Sequence, residues 1–508
     1  MVEFLAPGVF VEEVPLKSHP IEGVSTSTTG FVGMTERGPI DVPISIQSFS
    51  EFERHFGGLW QDSTLSFAVR QFFENGGTRA HIVRIAKRAG ANAAKAARIT
   101  LANGEVLAAT SPGSWGQNLK VSVDHNGVTG PLFNLAITDD VASHRAAHGR
   151  AGSGLTERFE KLSVDPHSAQ FASTVLAQQS VLLRVVSLHA AAPAAQANVS
   201  APDGSGTDGA AIGSGDVTAE TNRASKSGLF ALDKVSFNLL CIPPYTPSTH
   251  LNAADWEAAA SYCLQRRAFF IADAPSAWTF QDADKKASAI HLSASHNAAV
   301  YFPRLLAKNP LDANNLTPFA PCGAVAGIMS RTDASRGVWK APAGVDATVK
   351  GAAVLSPDGF NDAVAERLNT AGVNLLRAFP GTGIVVWGAR TFAARDSASD
   401  WKYVPIRRLA LYIEESLYRG TYWVVFENND EKTWVQVRRR VEDFLLGLFR
   451  RGAFQGTKPE QAFYVRCDRA TMTQDDIDNG RLIIEVGIAP VKPAEFVIFR
   501  LQQLMQTL

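Results

Sequence analysis

The sequence predicts an α/β protein, α+β overall, assembled from several bodies. Between residues 229 and 355, short and almost wholly apolar runs ("VSFNLLCIPP", "AFFIADAP", "NAAVYFPRLL") alternate with helical periodicities ("NAADWEAAASYCLQRR", "WTFQDADKKASAIHLSAS"). That rhythm marks βαβ units, hence a parallel sheet covered on both faces. Ahead of it, residues 89–228 show strand alternation punctuated by glycine, as in "ARITLANGEVLAATSPGSWGQNLKVSVDHN" and "FNLAITD", which predicts an inserted β-rich module. Both chain ends read as extended arms. One is "GVFVEEV" between Pro7 and Pro15; the other is "PAEFVIFRLQQLMQTL", where Phe496, Val497, Ile498, Phe499 and Leu501 make both faces of a strand apolar.

Residues 1–29 are the N-terminal arm, with "SHPIEGVSTSTTG" as a polar, turn-prone connector. Residues 30–88 open the inner core. They comprise a strand in "GFVGMTE", a short capped helix in "SFSEFERHFGG" and a clear helix in "STLSFAVRQFFENGG". Ser63 caps the second helix, Leu65, Ala68, Val69, Phe72 and Phe73 form its apolar stripe, and Gly76 stops it. "RAHIVRI" follows as a strand. Within the module, residues 191–228 ("APDGSGTDGAAIGSGD") are too poor in large apolar residues to bury much and predict a long, flexible, exposed loop. The block 229–355 closes with a small-residue helix in "CGAVAGIMSRTDASRGVWKAPAG".

Residues 356–490 form a C-terminal block. "GVNLLRAFPGTGIVVWGARTF" reads strand, turn, strand, and Pro405 opens a helix carrying Ile406, Leu409, Ile413 and Leu417. "TYWVVFE" reads as a strand. In "NDEKTWVQVRRRVEDFLLGLFRRG", Trp434, Val437, Val441, Phe444, Leu445 and Leu448 recur at helical spacing, with acids in the first turn and Arg450 and Arg451 in the last. "AFYVRCD" and "RLIIEVGIAPV" are strands, and residues 491–508 are the C-terminal arm.

Lys plus Arg and Asp plus Glu balance at 49 each, so no electrostatic signature points to nucleic acid or an anionic membrane. Cys241, Cys263, Cys322 and Cys467 are far apart, with no zinc spacing, and read as free buried thiols of a reducing compartment; no metal or cofactor is predicted. The start lacks a basic-then-apolar leader, and no apolar run reaches the roughly 20 residues of a spanning helix, so cytoplasmic synthesis without membrane insertion is expected. Nucleophile-elbow, phosphate-loop and zinc-protease motifs are missing. "GTGIVVWG" starts like a dinucleotide loop, but its glycines lead into a β-branched strand and make a turn. Ser295 and His296, with Asp273 at a strand end, raise a serine hydrolase as an alternative. Adjacent Ser and His side chains point apart, and cap, turn and surface roles suffice, so no catalytic residue is assigned. The trio Arg438, Arg439 and Arg440 could touch an acidic partner or phosphate, although a solvated helix face is the more ordinary use of such a run.

Several segments together resemble the contractile tail sheath proteins. "APGVFVEEVPLKSHPIEGVSTSTTGFVGMTERGP" is similar to the family's P-G-V-Y-V-E-E start, with Phe10 where Tyr is common. "SWGQNLKVSV" is similar to the start of its second module. "FNLLCIPP", "APCGAVAGIMSRTDASRGVWKAPAG", "GVNLLRAF", "VVWGARTF", "WKYVPIRRLALYIEESL" and "FENNDEKTWVQVRRRVEDFLLGLFRRGAF" follow in the family's order, with Asn428 where Pro is frequent.

The resemblance implies a subtilisin-like fold for the α/β block and a sheath domain at 356–490. It implies a structural, non-enzymatic subunit of a phage tail, tailocin or extracellular contractile injection system. Such subunits form a homo-oligomeric helical stack of hexameric rings around an inner tube protein, with baseplate and terminal cap proteins at the ends. Assembly would be cytoplasmic and the particle released. The arm strands, with Val9, Phe10, Val11 and Val14 on one and Phe496–Leu501 on the other, would enter neighbouring subunits and extend a sheet built on "AFYVRCD" and "RLIIEVGI". The connectors "PLKSHPIEGVSTSTTG" and "PVKPA" would be hinges. Arg407, Arg408 and Arg438–Arg440 are candidate contacts to tube or neighbour. A ring-forming scaffold that does not contract is the remaining alternative.

Overall fold

The computed structural model describes residues 20–140, 150–151, 154–357, 361–396 and 399–495. Two compact units divide the chain. One comprises Ser25–Leu411 with the residues from Lys492 on; the other comprises Tyr412–Val491 with the residues up to Val24.

The larger unit is organised by an eight-stranded sheet. Its strands are β1 (Thr29–Gly33), β2 (Ile44–Ile46), β3 (Ala80–Arg84), β4 (Leu239–Cys241), β5 (Phe269–Asp273), β6 (Ala298–Phe302), β7 (Val373–Phe379) and β8 (Gly383–Val386). Their spatial order is β2-β3-β1-β4-β5-β6-β7-β8. The six central strands are parallel, and β2 and β8 are antiparallel edges. The first described strand, β1, therefore sits inside the sheet, and all five of its residues are buried.

Alternation along the central strands builds two cores. Phe31, Leu239, Cys241, Phe269, Ile271, Ala299 and Tyr301 face one core; Val32, Leu240, Phe270, Ala298 and Val300 face the other. Burial on both sides explains why these strands read as continuous apolar runs. The run "NAAVYFPRLL" divides into β6 and a second strand, Arg304–Lys308, which leaves the main sheet for a three-stranded one with Leu316–Phe319 and Val354–Ser356. Pro303 stands at the break and has no N–H to donate to a ladder.

The helices begin where side-chain caps are available. In α1 (Phe49–Phe56), Ser48 accepts from the Glu51 N–H and Gly57 closes the helix at φ 93°. In α2 (Thr64–Glu74), Ser63 accepts from Ser66. In α3 (Ala253–Gln265), Asn252 and Asp255 form a reciprocal capping box. The helix expected over 278–295 shrinks to α4 (Ala283–Ser288), with turns on either side.

The small-residue helix is α5 (Cys322–Arg336), and its glycines have a specific use. A Cβ on Gly323 would lie 2.0 Å from the Ala68 carbonyl oxygen, and one on Gly327 would lie 2.4 Å from that of Phe72. Helices α2 and α5 thus touch backbone to backbone through a four-residue glycine repeat. Further on come α6 (Asp362–Thr370), α7 (Val404–Gly420) and α8 (Glu431–Arg450).

The inserted module has its own core around wholly buried Trp115 and two antiparallel sheets. Residues 191–228 are not the expected loop. Gln196–Ser200 pairs with Leu119–Asp124, Ser214–Val217 and Asn222–Ser225 are helical, and Ile212 and Val217 enter the main core. Two acidic side chains of this stretch find partners distant in sequence: Asp208 accepts from the Ser114 N–H and hydroxyl, and Asp216 pairs with Lys87 at 3.1 Å. Composition hid this because a few apolar residues suffice when polar groups find partners.

Arg84 binds the module to the sheet. Its guanidinium donates to the carbonyls of Thr35, Glu36, Gly38 and Pro112, and burial pushes its pKa down to about 10. Arg37 adds a buried ion pair with Asp139 at 2.8 Å.

In the smaller unit, α8 is capped by Asp430 and buries Trp434, Val437, Val441, Leu445 and Leu448; Phe444 is half-buried against Tyr412. Trp434, Cys467 and Met472 form a small core. The stretch "TYWVVFE" is not a strand. Tyr422–Val424 makes a 3-10 turn, Phe426 adopts φ 72°, and Trp423 lies under Arg440 at 3.9 Å. The β-branched and aromatic composition favoured a strand, but no described strand pairs with it. All four cysteines are buried and free.

Replacing Gly327 with Ala should force α2 and α5 apart and lower unfolding stability by about 1–3 kcal/mol, the usual cost of overpacking. Denaturant unfolding measures this, and an unchanged midpoint would contradict the close contact.

Candidate assembly interface

The structure does not assemble the hydrolase constellation. In the parallel pair β5–β6, Asp273 lies opposite Tyr301. Ser295 and His296 lie in the turn before β6, five or six residues earlier. At about 3.3 Å per extended residue, that offset amounts to roughly 17–20 Å along the strands. Asp273 instead accepts the Cys322 N–H at the start of α5 at 2.8 Å, and burial raises its pKa to about 6. Burial and the Arg407 charge push the His296 imidazole down. Open α/β sheets bind ligands where strand order reverses, here between the C-terminal ends of β1 and β4. That crevice is filled by the start of α2: Ser63 donates to the Met34 carbonyl and Thr64 to that of Pro244.

The arm strands Val9–Val14 and Phe496–Leu501 lie outside the described residues. The segments leading to them are described, and both are pinned. In the larger unit, the Thr26 hydroxyl donates to Asp333 Oδ2 at 2.6 Å, and Arg408 donates to the Thr26 carbonyl at 3.0 Å. Arg408 and Asp333 form an ion pair at 2.6 Å, with side chains only 3% and 4% exposed. Burial raises the Asp333 pKa, while Arg408 and Thr26 oppose that rise. Further along, the Thr28 N–H donates to Asn238.

At the other end, Glu495 is held by a built carboxylate socket. Arg390 donates through Nε at 2.7 Å and Nη2 at 2.6 Å, Asn369 through Nδ2 at 2.9 Å, and the Tyr403 hydroxyl at 3.1 Å. Desolvation opposes ionisation of Glu495, but these donors outweigh it and hold the carboxyl below its ordinary range. Within the larger unit, Thr26 and Thr28 of the first connector and Glu495, just after the second, therefore carry side-chain anchors. The sequence carried one weak signal of this, an isolated Glu between Pro493 and an apolar run.

In the smaller unit, Val24 donates its N–H to Ser416 Oγ, and Ile21 packs where a Gly420 Cβ would sit. Phe463–Arg466 and Glu485–Ile488 form a two-stranded antiparallel sheet, with Phe463 opposite Ile488. Ala489 continues the second strand, donating to Ala462 and accepting from Gln455. Among the described residues no third strand joins this sheet, so both of its strands are edges. Edge strands present rows of backbone donors and acceptors that template a further strand.

The candidate arginines separate into two groups. Arg407 and Arg408 are 5% and 3% exposed, and they are used inside the chain rather than at its surface. Arg407 donates to Asn297 at 3.1 Å, and Arg408 belongs to the Thr26 anchor. Hydrophobic periodicity could not separate them from surface residues, because they flank the apolar positions of α7. On α8, Arg439 is exposed, Arg438 lies 3.8 Å from Glu442, and Arg440 stacks on Trp423.

Residues 210–392 match the phage tail sheath protein central domain, and residues 396–503 match the phage tail sheath C-terminal domain. Together the two matches span more than half of the chain. The chain belongs to the contractile tail sheath family. A tail sheath protein of Vibrio phage KVP40 is 27% identical over 187 residues, which is 37% of this chain and 26% of that protein, so the match spans about a quarter of the relative's length.

The fold of this sheath chain is shared by solved structures. The sheath of an extracellular contractile injection system, PVC, in its contracted state superposes with a TM-score of 0.59 at 23% identity over 99% of both chains. The contracted helical sheath of the anti-feeding prophage gives 0.58 at 24% identity, covering 99% of this chain and 100% of that one. A sheath tail protein from Listeria innocua gives 0.62 at 13% identity, covering 93% and 97%.

Two substitutions test these placements. Arg408→Gln leaves Asp333 buried without its ion-pair partner and should cost about 3–5 kcal/mol in denaturant unfolding. Asp273→Asn tests the raised carboxyl. A raised folded-state pKa favours folding below the ordinary carboxylate range and loses that advantage as pH rises through about 6. Relative to wild type, the variant should therefore gain about 2–3 kcal/mol between pH 4 and pH 7. Parallel stability profiles for the two proteins would show that Asp273 titrates normally.

Proposed function

We propose that this chain is the structural sheath subunit of a contractile injection machine. It polymerises as stacked hexameric rings wound around an inner tube protein, and contraction drives the tube through a target envelope. The observation that carries this reading is the two-stranded sheet Phe463–Arg466/Glu485–Ile488, with two edges available in a chain whose two ends supply two strand-forming segments. Val9, Phe10, Val11 and Val14 form one donor strand. Phe496–Leu501 forms the other, with Val497, Phe499 and Leu501 on one face and Phe496 and Ile498 on the opposite face. Adding such strands to a neighbour's sheet is heterologous, and heterologous contacts close rings or grow helices.

Contraction uses two packings of the same subunits. Terminal strands keep neighbours joined while the bodies move into contacts absent from the extended lattice, and those contacts hold the stored energy. Similar solved structures include sheaths in the contracted state and a baseplate, which supports a baseplate protein as an end partner; a terminal cap protein at the other end belongs to the same proposal. Among the described residues no helix is long and apolar enough to cross a membrane. Assembly in the cytoplasm, with release of a phage tail-like particle, is part of the same proposal. Arg438, Arg439 and Arg440 remain candidate contacts to tube or neighbour.

Electron microscopy of purified chain tests the reading. Full-length protein should form tubes of two diameters, whereas a chain lacking residues 496–508 should stay folded and soluble without forming them. Tubes formed by the truncated chain would overturn the strand-exchange model, and rings of one diameter would favour a scaffold that does not contract.

A further inference from the structure

We propose that Arg390 and Thr391, paired with residues 401–408, form a shared buckle that fixes where both terminal segments leave the larger unit, with Glu495 as its closing member. This rests on the reading that those terminal segments carry the contacts between subunits.

Arg390 and Tyr403 pair as an antiparallel bridge, and Thr391 donates twice across it, its N–H to the Lys402 carbonyl at 2.9 Å and its hydroxyl to that of Trp401 at 2.7 Å. Asn374, wholly buried on β7, fixes the Arg390 backbone from both sides, accepting its N–H and donating to its carbonyl, each at 2.7 Å. Arg390 Nη1 is spent on the Asn369 carbonyl at 2.9 Å, which leaves Nε and Nη2 aimed as a fork at Glu495. A rigid guanidinium fork meeting a carboxylate at two points sets direction as well as distance.

The other end of the buckle is the start of α7. Tyr403, which completes the Glu495 socket, accepts the Arg407 N–H at 3.1 Å, and the next residue, Arg408, holds Thr26 and Asp333. The last described residue of the chain and the residues just before its first central strand are therefore gripped within one short stretch. The two grips differ in depth. The Asp333 side chain is 4% exposed and that of Glu495 is 21% exposed, so the Glu495 grip is the one that can open without unfolding the sheet.

The test uses full-length protein carrying Glu495→Gln or Arg390→Lys, with Glu220→Gln as a control for losing an exposed charge. Glu495→Gln keeps the shape but loses the charge, and Arg390→Lys keeps the charge but loses the fork. Hydrogen exchange is read on unassembled protein at 491–495 and 25–28. Both variants should speed exchange at both places, and the fraction of chain in tubes should fall about tenfold, the scale of a charge-assisted hydrogen bond. The control should match wild type. Faster exchange at 491–495 alone would refute the shared buckle, and undiminished tubes would refute its role in assembly. If wild type formed no tubes, the sheath reading would fail, while the exchange comparison would still decide the buckle.

Discussion

The buried pair of Arg408 and Asp333 is the interaction on which the larger unit turns. It joins the start of α7, the last turns of α5 and the backbone just ahead of β1. A pair this deeply buried gains little net energy over an apolar packing, because both ions lose their hydration. What it supplies is registry. Thr26 satisfies both members, donating to the carboxylate and accepting from the guanidinium, so only one placement of the entering chain leaves no buried charge short of partners.

That placement matters because β1 is an inner strand of the sheet. β1 needs β3 on one side and β4 on the other, and these are separated by the whole inserted module. A slip of one residue would exchange Phe31 and Val32 between the two cores, so register is tightly specified. The Gly323 and Gly327 contact closes one face at backbone distance, and Arg84 ties the module's base to the same sheet. The parallel sheet serves as a rigid frame. Its strand-end crevice is filled by the chain itself, and its carboxylate, Asp273, caps a helix instead of facing a ligand.

On the proposed reading, function follows from how the bodies of neighbouring subunits are joined by the donor strands. The larger unit grips the approach to both terminal segments, and the smaller unit offers a two-stranded sheet with edges to extend. Rigid roots and open edges suit an assembly in which subunits must stay linked while their bodies move. A freely jointed root would spread the donor strands over many directions and raise the entropic cost of every contact between subunits.

By itself the sequence determined the local events that depend on neighbours in the chain. Ser63 reads as a cap and acts as one, the short helix at Phe49–Phe56 is capped as expected, and the stripes of α2 and α8 are buried apart from half-buried Phe73 and Phe444. The ordered motifs also carried the family. Tertiary structure decided what depends on partners distant in sequence. "TYWVVFE" lost its strand for want of a paired neighbour, and residues 191–228 gained order because Lys87, Ser114 and the main core supplied partners. Arg407 and Arg408 looked like surface cations and became buried anchors once Asn297 and Asp333 were brought to them. The Glu495 socket was beyond sequence reading for the same reason: Asn369, Arg390 and Tyr403 converge on one carboxylate only after the sheet has folded, and short-range periodicity carries no trace of that convergence.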